Sequence, residues 1–259
     1  MRTSNPVLTN TTFEQGHTFG PGASMTLQGA VNKTMILLFL LVVSAAWVWA
    51  KVIQPVPIFE SLEGEGARTI SSVGPLIMIG MMGGLISGFV TIFKKDWSAV
   101  TAPVYAVCQG LFLGGVSAIY EMQYHGIVFQ AVALTTGTLF CLLMAYKSGI
   151  IKVTQNFRLG IVAATGAICL VYLVNWIMSF FGGSIHAIYS NGIFGIGFSL
   201  VVVGVAALSL VLDFDFIEQG ASHGAPKYME WYSAFGLMVT LIWLYLEILR
   251  LLSKLRSRD

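Results

Sequence analysis

Five carboxylates lie inside or at the edge of the last two long apolar runs of the chain. They are Asp213, Asp215, Glu218, Glu230 and Glu247, all within residues 209–252. A lone carboxylate in hydrocarbon costs several kcal/mol, so acidic residues in such runs mark functional sites. Carboxylates can bind cations and can take up or release protons. Any chemical centre of this protein is therefore expected in this stretch.

Two interpretations of Glu247 follow from its neighbours. Arg250 lies three residues further on, a spacing that allows a local ion pair on a helix. Alternatively, Glu247 meets Asp213 between two helices. Two carboxyls in a poorly hydrated site cannot both ionise cheaply, so such a pair would share a proton. Once deprotonated, the pair would offer oxygen ligands to a hard cation such as Ca²⁺ and form a pH-gated cation path.

The depth of each acidic residue suggests a different pairing. Asp213 and Asp215 are two residues apart, so on a helix they do not share a face. A straight last helix starting at Tyr228 would place Glu247 roughly 28 Å from the end at which Asp213 lies. Glu230 is then the nearer partner for the two aspartates, and this alternative stays open beside the first.

The composition excludes an ordinary soluble enzyme. Of the 259 residues, 56% are hydrophobic and 10% are charged, whereas soluble domains carry roughly 25% charge. The net charge of +2 indicates no affinity for nucleic acid. The three cysteines lie in apolar runs and the four histidines in predicted loops, a pattern that indicates neither disulfides nor a metal site. We expect no cofactor and no enzymatic activity, since no predicted span holds a histidine base.

Seven apolar runs organise the chain into an all-α, polytopic membrane bundle. Each is close to the ~20 residues that a helix needs to cross the bilayer, and helices satisfy their own backbone groups there. The runs are 34–53, 75–93, 99–120, 126–146, 159–181, 193–212 and 231–252. They form one domain of residues 33–255 in the lipid bilayer. Residues 1–32 read as a flexible polar tail, and Glu218 is expected in the turn after the sixth run.

Loop charges predict the orientation of the bundle. With the N-terminus inside, the inside segments hold most of the basic residues, namely Arg2, Lys33, Lys94, Lys95, Lys147, Lys152, Arg158 and Lys227. The outside segments before the C-terminus hold only Lys51 and Arg68, so the positive-inside rule predicts a cytoplasmic N-terminus. Seven crossings then place a second basic group outside, against the rule: Arg250, Lys254, Arg256 and Arg258.

Small residues recur at helical spacing in the second and third runs. Gly80, Gly84 and Gly88 follow one another at four-residue steps, as do Gly110 and Gly114. In lipid such stripes let two helix backbones approach closely. They predict helix packing in preference to a pore lining or a hinge.

Several motifs resemble those of the Bax inhibitor-1 family, the YccA-like membrane proteins. The segment LVLDFDFIE is similar to the end of the family's sixth helix, with Asp213 and Ile217 on the motif positions. In LYLEILRLL, Glu247 takes the place of an acidic residue of the last helix. Further resemblance lies in APVYAVCQGLFLGGVSAIYE, which is similar to the third helix, and in SNPVL and GAPKYMEWY, which are similar to a bacterial subgroup.

This resemblance implies both an architecture and a function. The architecture is a helical bundle around a central last helix, in a bacterial inner membrane. The function is a proton-sensitive calcium leak controlled by Asp213 and Glu247. Some bacterial members are instead associated with a membrane-bound AAA protease, which implies a non-transporting regulator as the alternative. Deleting the polar tail would then remove the phenotype, while carboxylate mutations would leave ion flux unchanged.

Overall fold

A computed structural model describes residues 24–52, 65–181 and 192–257 of the chain. Within these ranges the backbone forms seven α-helices, each with a segment long and apolar enough to cross a membrane. They are α1 (Leu27–Val52), α2 (Glu65–Phe93), α3 (Ser98–Gln123), α4 (Ile127–Lys147), α5 (Gln155–Phe180), α6 (Ile193–Ser222) and α7 (Met229–Arg256). The described residues contain no strand, only the isolated bridge between Ser24 and Pro226. The predicted seven-helix membrane fold is confirmed.

The helices extend beyond the predicted apolar runs. Helix α2 begins at Glu65 instead of Pro75, and α6 continues to Ser222 instead of ending at residue 212. The length of an apolar run matches the thickness of the hydrocarbon layer, ~30 Å. The helix itself continues beyond the run into the headgroup layer. Helix α1 likewise begins at Leu27, so the end of the predicted polar tail 1–32 is helical. Residues 1–23 of that tail lie outside the described residues.

One compact unit consists of α1, α2, α3 and residues 227–235. Helix α3 packs against both α1 and α2. A Cβ atom added at Gly80 would lie 2.6 Å from the backbone nitrogen of Phe112, and one at Gly114 would lie 2.6 Å from the carbonyl oxygen of Ala45. Real Cβ atoms do not approach other atoms so closely, so these helices meet where glycine leaves room. The prediction that the glycine stripes serve packing is confirmed for these positions.

The other unit contains α4, α5, α6 and the last helix from Gly236 onward. Within it, α5 packs against α6. Helices α6 and α7 are joined by a short turn in which Gly224 adopts a φ of 68°, a conformation that a side chain disfavours. Of the seven spans in the described ranges, α7 is the most buried, with 67% of its most apolar stretch buried, compared with at most 50% in the other spans. The expected central position of the last helix stays a prediction.

Candidate functional site

Asp213 lies in the buried part of α6 with no exposed surface. Leu212 and Phe214 on either side of it are buried as well, so the carboxyl group belongs to the interior of its unit. Enclosing a carboxylate in an apolar interior is costly. Asp213 is therefore a predicted site residue that lies wholly in the interior of its unit.

Asp215 faces a different set of groups from Asp213. Its Oδ2 atom lies 2.6 Å from Nη2 of Arg158 at the start of α5. It also accepts a hydrogen bond of 2.7 Å from the amide of Gln219, one turn further along α6. As predicted, the two aspartates do not share a helix face. A charge-assisted pair with a second donor holds the Asp215 carboxylate in place.

Glu218 lies within α6, so the prediction that it belongs to a turn is wrong. Its carboxylate accepts a hydrogen bond from the hydroxyl group of Tyr146 near the end of α4. The helix continues past the apolar run because its exposed side chains reach water or neighbouring polar groups there. Asp215 and Glu218 therefore tie α6 to α5 and α4 at the end of the unit where the α6–α7 turn lies. We call this the turn end, and the opposite end, where α7 finishes, the far end.

Glu247 is 2% exposed and lies near the far end. Its two carboxylate oxygens lie 2.9 and 3.0 Å from Nη1 of Arg250, and they accept from the hydroxyl of Tyr172 on α5 at 3.1 and 3.3 Å. Arg250 also donates to the same hydroxyl at 2.7 Å. Of the two interpretations of Glu247, the local ion pair with Arg250 is the one present in the structure.

The register between α6 and α7 follows from two anchors. At the far end, Lys254 donates to Gly195 and Ser199 of α6. At the turn end, the six residues 223–228 join the two helices. Both anchors place Asp213 and Glu247 about nine residues apart along the antiparallel pair, which is roughly 14 Å of helical rise. In this arrangement of the helices the two carboxyls lie at different depths. Their direct pairing and the expected Ca²⁺ site would need a different arrangement and stay predictions.

The described residues do not form a cluster of metal-binding side chains. Among the described residues, no group of three or more His, Cys, Asp or Glu side chains is placed to hold a metal ion. The carboxylates of this unit are instead distributed along α6 and α7 at several depths. Such a distribution suits successive, weak cation contacts better than one tight site.

Glu230 belongs to the unit of the first three helices and forms its own cluster. The side chain has no exposed surface and accepts hydrogen bonds from the backbone nitrogen and hydroxyl of Thr26, at 3.0 and 2.9 Å. It also pairs with Lys33 at 3.2 Å and with Lys227 at 2.8 Å. Gly29 lies against the carboxylate, where any Cβ would collide with it. The predicted pairing of Glu230 with Asp213 or Asp215 stays a prediction.

The turn that precedes Glu230 is held in the same unit. Ser98 donates its hydroxyl to the carbonyl oxygen of Tyr228 at 3.0 Å. Burial, and then the charge of nearby Asp96 and a hydrogen bond to it, raise the pKa of the Tyr228 hydroxyl. The hydroxyl of Ser98, at the start of α3, thus holds the backbone of the turn at Tyr228.

Several residues of these clusters were not predicted from the sequence. They are Thr26, Lys33, Tyr146, Arg158, Tyr172, Lys227 and Lys254. The basic residues could have been considered, because each lies within a few residues of an end of an apolar run. The tyrosines and Thr26 carry no such signal, since tyrosine is common at membrane interfaces.

Comparison with known proteins adds the family. No curated protein matches the chain. The sequence from residue 5 to residue 257 matches the family described as Bax inhibitor 1 like, a range that includes every helix described above. With seven helices suited to a membrane and nearly its whole length matched, the chain is a multi-pass membrane protein that belongs to the Bax inhibitor 1 like family.

Proposed function

We propose that this protein is a pH-sensitive leak for Ca²⁺ or another cation. The observation that carries the proposal is Asp213, a carboxyl group with no exposed surface in the interior of a membrane-spanning helix. Acidic residues at such positions line ion paths or proton relays in membrane proteins. Protonation of a buried carboxyl changes the charge of the path by one unit, so a path that contains such a group responds to pH.

The surrounding carboxylates support a path more than a single site. Asp215 lies near the turn end beside Arg158, and Glu247 lies toward the far end beside Arg250. Asp213 lies between these two ion pairs in depth, by the register of α6 and α7. A cation that moves along the two helices would meet the three carboxylates in turn, and its contacts with Asp215 and Glu247 would be weakened by their arginine partners. Conduction requires contacts that a cation can also leave.

We place the protein in a bacterial inner membrane with its N-terminus in the cytoplasm. The positive-inside rule supports this orientation for the first six spans. The C-terminal basic residues, which oppose it, include two that the bundle engages: Arg250 binds Glu247 and Tyr172, and Lys254 binds Gly195 and Ser199. Charges bound inside a bundle do not act as loop charges, so the conflict is smaller than the sequence suggests.

The decisive experiment measures Ca²⁺ flux into liposomes that contain the purified protein, from about pH 5 to about pH 8. Asp213→Asn mimics the protonated carboxyl. Its flux should therefore equal that of the wild type at the acid end of the range and should not change with pH. Glu121→Gln is the matched control, because Glu121 caps the backbone nitrogen of Gly126 in a turn. The control should keep the wild-type pH profile.

Glu247→Gln separates the two arrangements of the carboxyls. If it flattens the pH profile as Asp213→Asn does, the two groups act as a pair and α6 and α7 rearrange to join them. If it changes only the size of the flux, Asp213 is the pH sensor alone. An unchanged profile in Asp213→Asn would overturn the proposal. Absence of flux from folded, inserted wild-type protein would favour the alternative, a regulator of a membrane protein such as an AAA protease, to be tested by pull-downs through residues 1–23.

A further inference from the structure

The ammonium group of Lys254 is buried at the far end of the α6–α7 pair. Lys254 is 5% exposed, and its Nζ atom donates to the carbonyl oxygen of Gly195 at 3.0 Å and to the hydroxyl oxygen of Ser199 at 2.8 Å. An ammonium group leaves water only at a large cost unless other oxygens replace its hydration shell. Two oxygens of α6 therefore act here as cation ligands.

Helix dipoles do not explain this contact. A lysine in the last turn of α7 is favoured by the partial negative charge of that helix end, but it gains this while its ammonium remains in water. The oxygens that Lys254 binds belong to the first turns of α6, where the partial charge is positive and disfavours a cation. The contact is thus formed against the dipole of α6, by specific oxygen ligands.

The charges nearby indicate what kind of cation fits. Glu247 and Arg250, two turns and one turn before Lys254 on α7, both act electrostatically on its ammonium. Because the Glu247 carboxylate already pairs with Arg250, the surroundings of the two α6 oxygens are not strongly negative. Divalent cations such as Ca²⁺ bind where several carboxylates are available. Neutral oxygens that hold an ammonium suit a singly charged cation of similar size.

We propose that Gly195 O and Ser199 Oγ form a monovalent-cation site that the chain fills with its own Lys254 ammonium. Removal of the ammonium leaves the site open to a small mobile cation such as methylammonium or K⁺. The site lies beyond Glu247 on the same side of α7, at the end of the series of carboxylates. In the terms of the proposed function, on which this last step rests, Lys254 is a tethered blocker that keeps mobile cations out of the far end.

Chemical rescue tests the site without any measurement of transport. Lys254→Ala in the purified full-length protein should lower the thermal midpoint. Methylammonium at about 100 times its Kd should raise that midpoint by about 5 °C, K⁺ should act in the same direction, and the bulky choline ion should have no effect. The wild type should not respond. Arg256→Ala is the matched control, since it removes a basic residue from the same helix end, and its midpoint should not respond either.

A second substitution ties the rescue to the named oxygens. Adding Ser199→Ala to Lys254→Ala should reduce the rescue by at least half, because one of the two ligands is lost. If Lys254→Ala does not fold, Lys254→Ser leaves similar space, adds a hydroxyl oxygen and should respond to methylammonium in the same way. A response equal to that of Arg256→Ala, or one that Ser199→Ala leaves unchanged, would overturn the site.

Flux measurements then separate the site from the leak. In liposomes, Lys254→Ala should conduct K⁺ several-fold faster than the wild type if Lys254 blocks a path. Rescue of stability together with an unchanged flux would support the cation site and count against the proposed leak. Faster flux without rescue would support the leak and overturn the site.

Discussion

Thr26 donates two hydrogen bonds to the carboxylate of Glu230, from its backbone nitrogen at 3.0 Å and from its hydroxyl at 2.9 Å, across 204 residues of sequence. Thr26 also accepts a hydrogen bond from the backbone nitrogen of Gly29 and so caps the start of α1. One threonine thus caps the first helix and binds the first turn of the last one. The start of α7 is fixed to the start of α1 by charge and by hydrogen bonds, and not by apolar packing alone.

Glu230→Gln should destabilise the protein by about 2–3 kcal/mol. Loss of one partner from a buried ion pair typically costs about 3–5 kcal/mol, and the cost is lower here because Lys33 and Lys227 can be rehydrated. The glutamine keeps an oxygen for Thr26, so the loss reports on charge. Thermal unfolding of the detergent-purified protein measures it, with Glu121→Gln as control. A midpoint of Glu230→Gln equal to that of the wild type would show that the cluster contributes no stability.

Gly110→Ala and Gly137→Ala should differ in sign. A Cβ at Gly110 would collide with Ser44 and with the carbonyl oxygen of Leu41 on α1, whereas nothing lies within 4 Å of a Cβ at Gly137. Overpacking should cost about 1–3 kcal/mol at Gly110. At Gly137, alanine should gain up to about 1 kcal/mol through its helix propensity. Thermal midpoints of the two variants decide this, and a loss at Gly137 as large as at Gly110 would contradict the close α1–α3 contact.

Arg158 and Asp215 should show energetic coupling in a double-mutant cycle. Their side chains are mostly buried and their charged atoms are 2.6 Å apart, so the coupling between Arg158→Gln and Asp215→Asn should be about 1–3 kcal/mol. Addition of salt should weaken it only slightly, because buried pairs are poorly screened. If the losses of unfolding free energy in the two single variants simply add in the double variant, Arg158 does not hold Asp215, and Gln219 is its effective partner.

Cysteine labelling should place residues 148 and 257 on opposite sides of the membrane. Ser148 lies in the exposed turn after α4 and Ser257 follows α7. In a variant with Cys108, Cys141 and Cys169 replaced, a membrane-impermeant thiol reagent should label Ser257→Cys in intact cells. Ser148→Cys should react only after the cells are opened. Labelling of both from the same side would rule out seven full crossings with the N-terminus inside.

The membrane fold could be predicted because span length and polarity are local properties. A stretch of about 20 apolar residues must be helical in lipid, and all seven such stretches are helical where the structure describes them. The ends were less predictable. The apolar pattern predicts that a span starts at Pro75, yet Pro75 lies inside α2. Membrane helices tolerate proline when neighbouring groups satisfy the freed carbonyl.

The partners of the acidic residues were harder to predict than the residues themselves. Arg250 was identified because it lies one turn from Glu247 on the same helix, and helical neighbours follow from spacing. Tyr172 and Arg158 come from other helices, so their contacts depend on how the helices pack and rotate. The burial of Lys254 also depends on the register of α6 and α7, which a short turn alone does not determine.

The cluster around Glu230 has a consequence for biogenesis. A ribosome that adds 5–20 residues per second makes Glu230 roughly 10–40 s after Thr26. Until then the first three helices lack residues 227–235, which complete their compact unit. Lys33 therefore has no Glu230 carboxylate to pair with until late in synthesis. A chain cut short before residue 230 would therefore leave even its first helix incompletely assembled, and we expect the quality-control proteases of the membrane to degrade it.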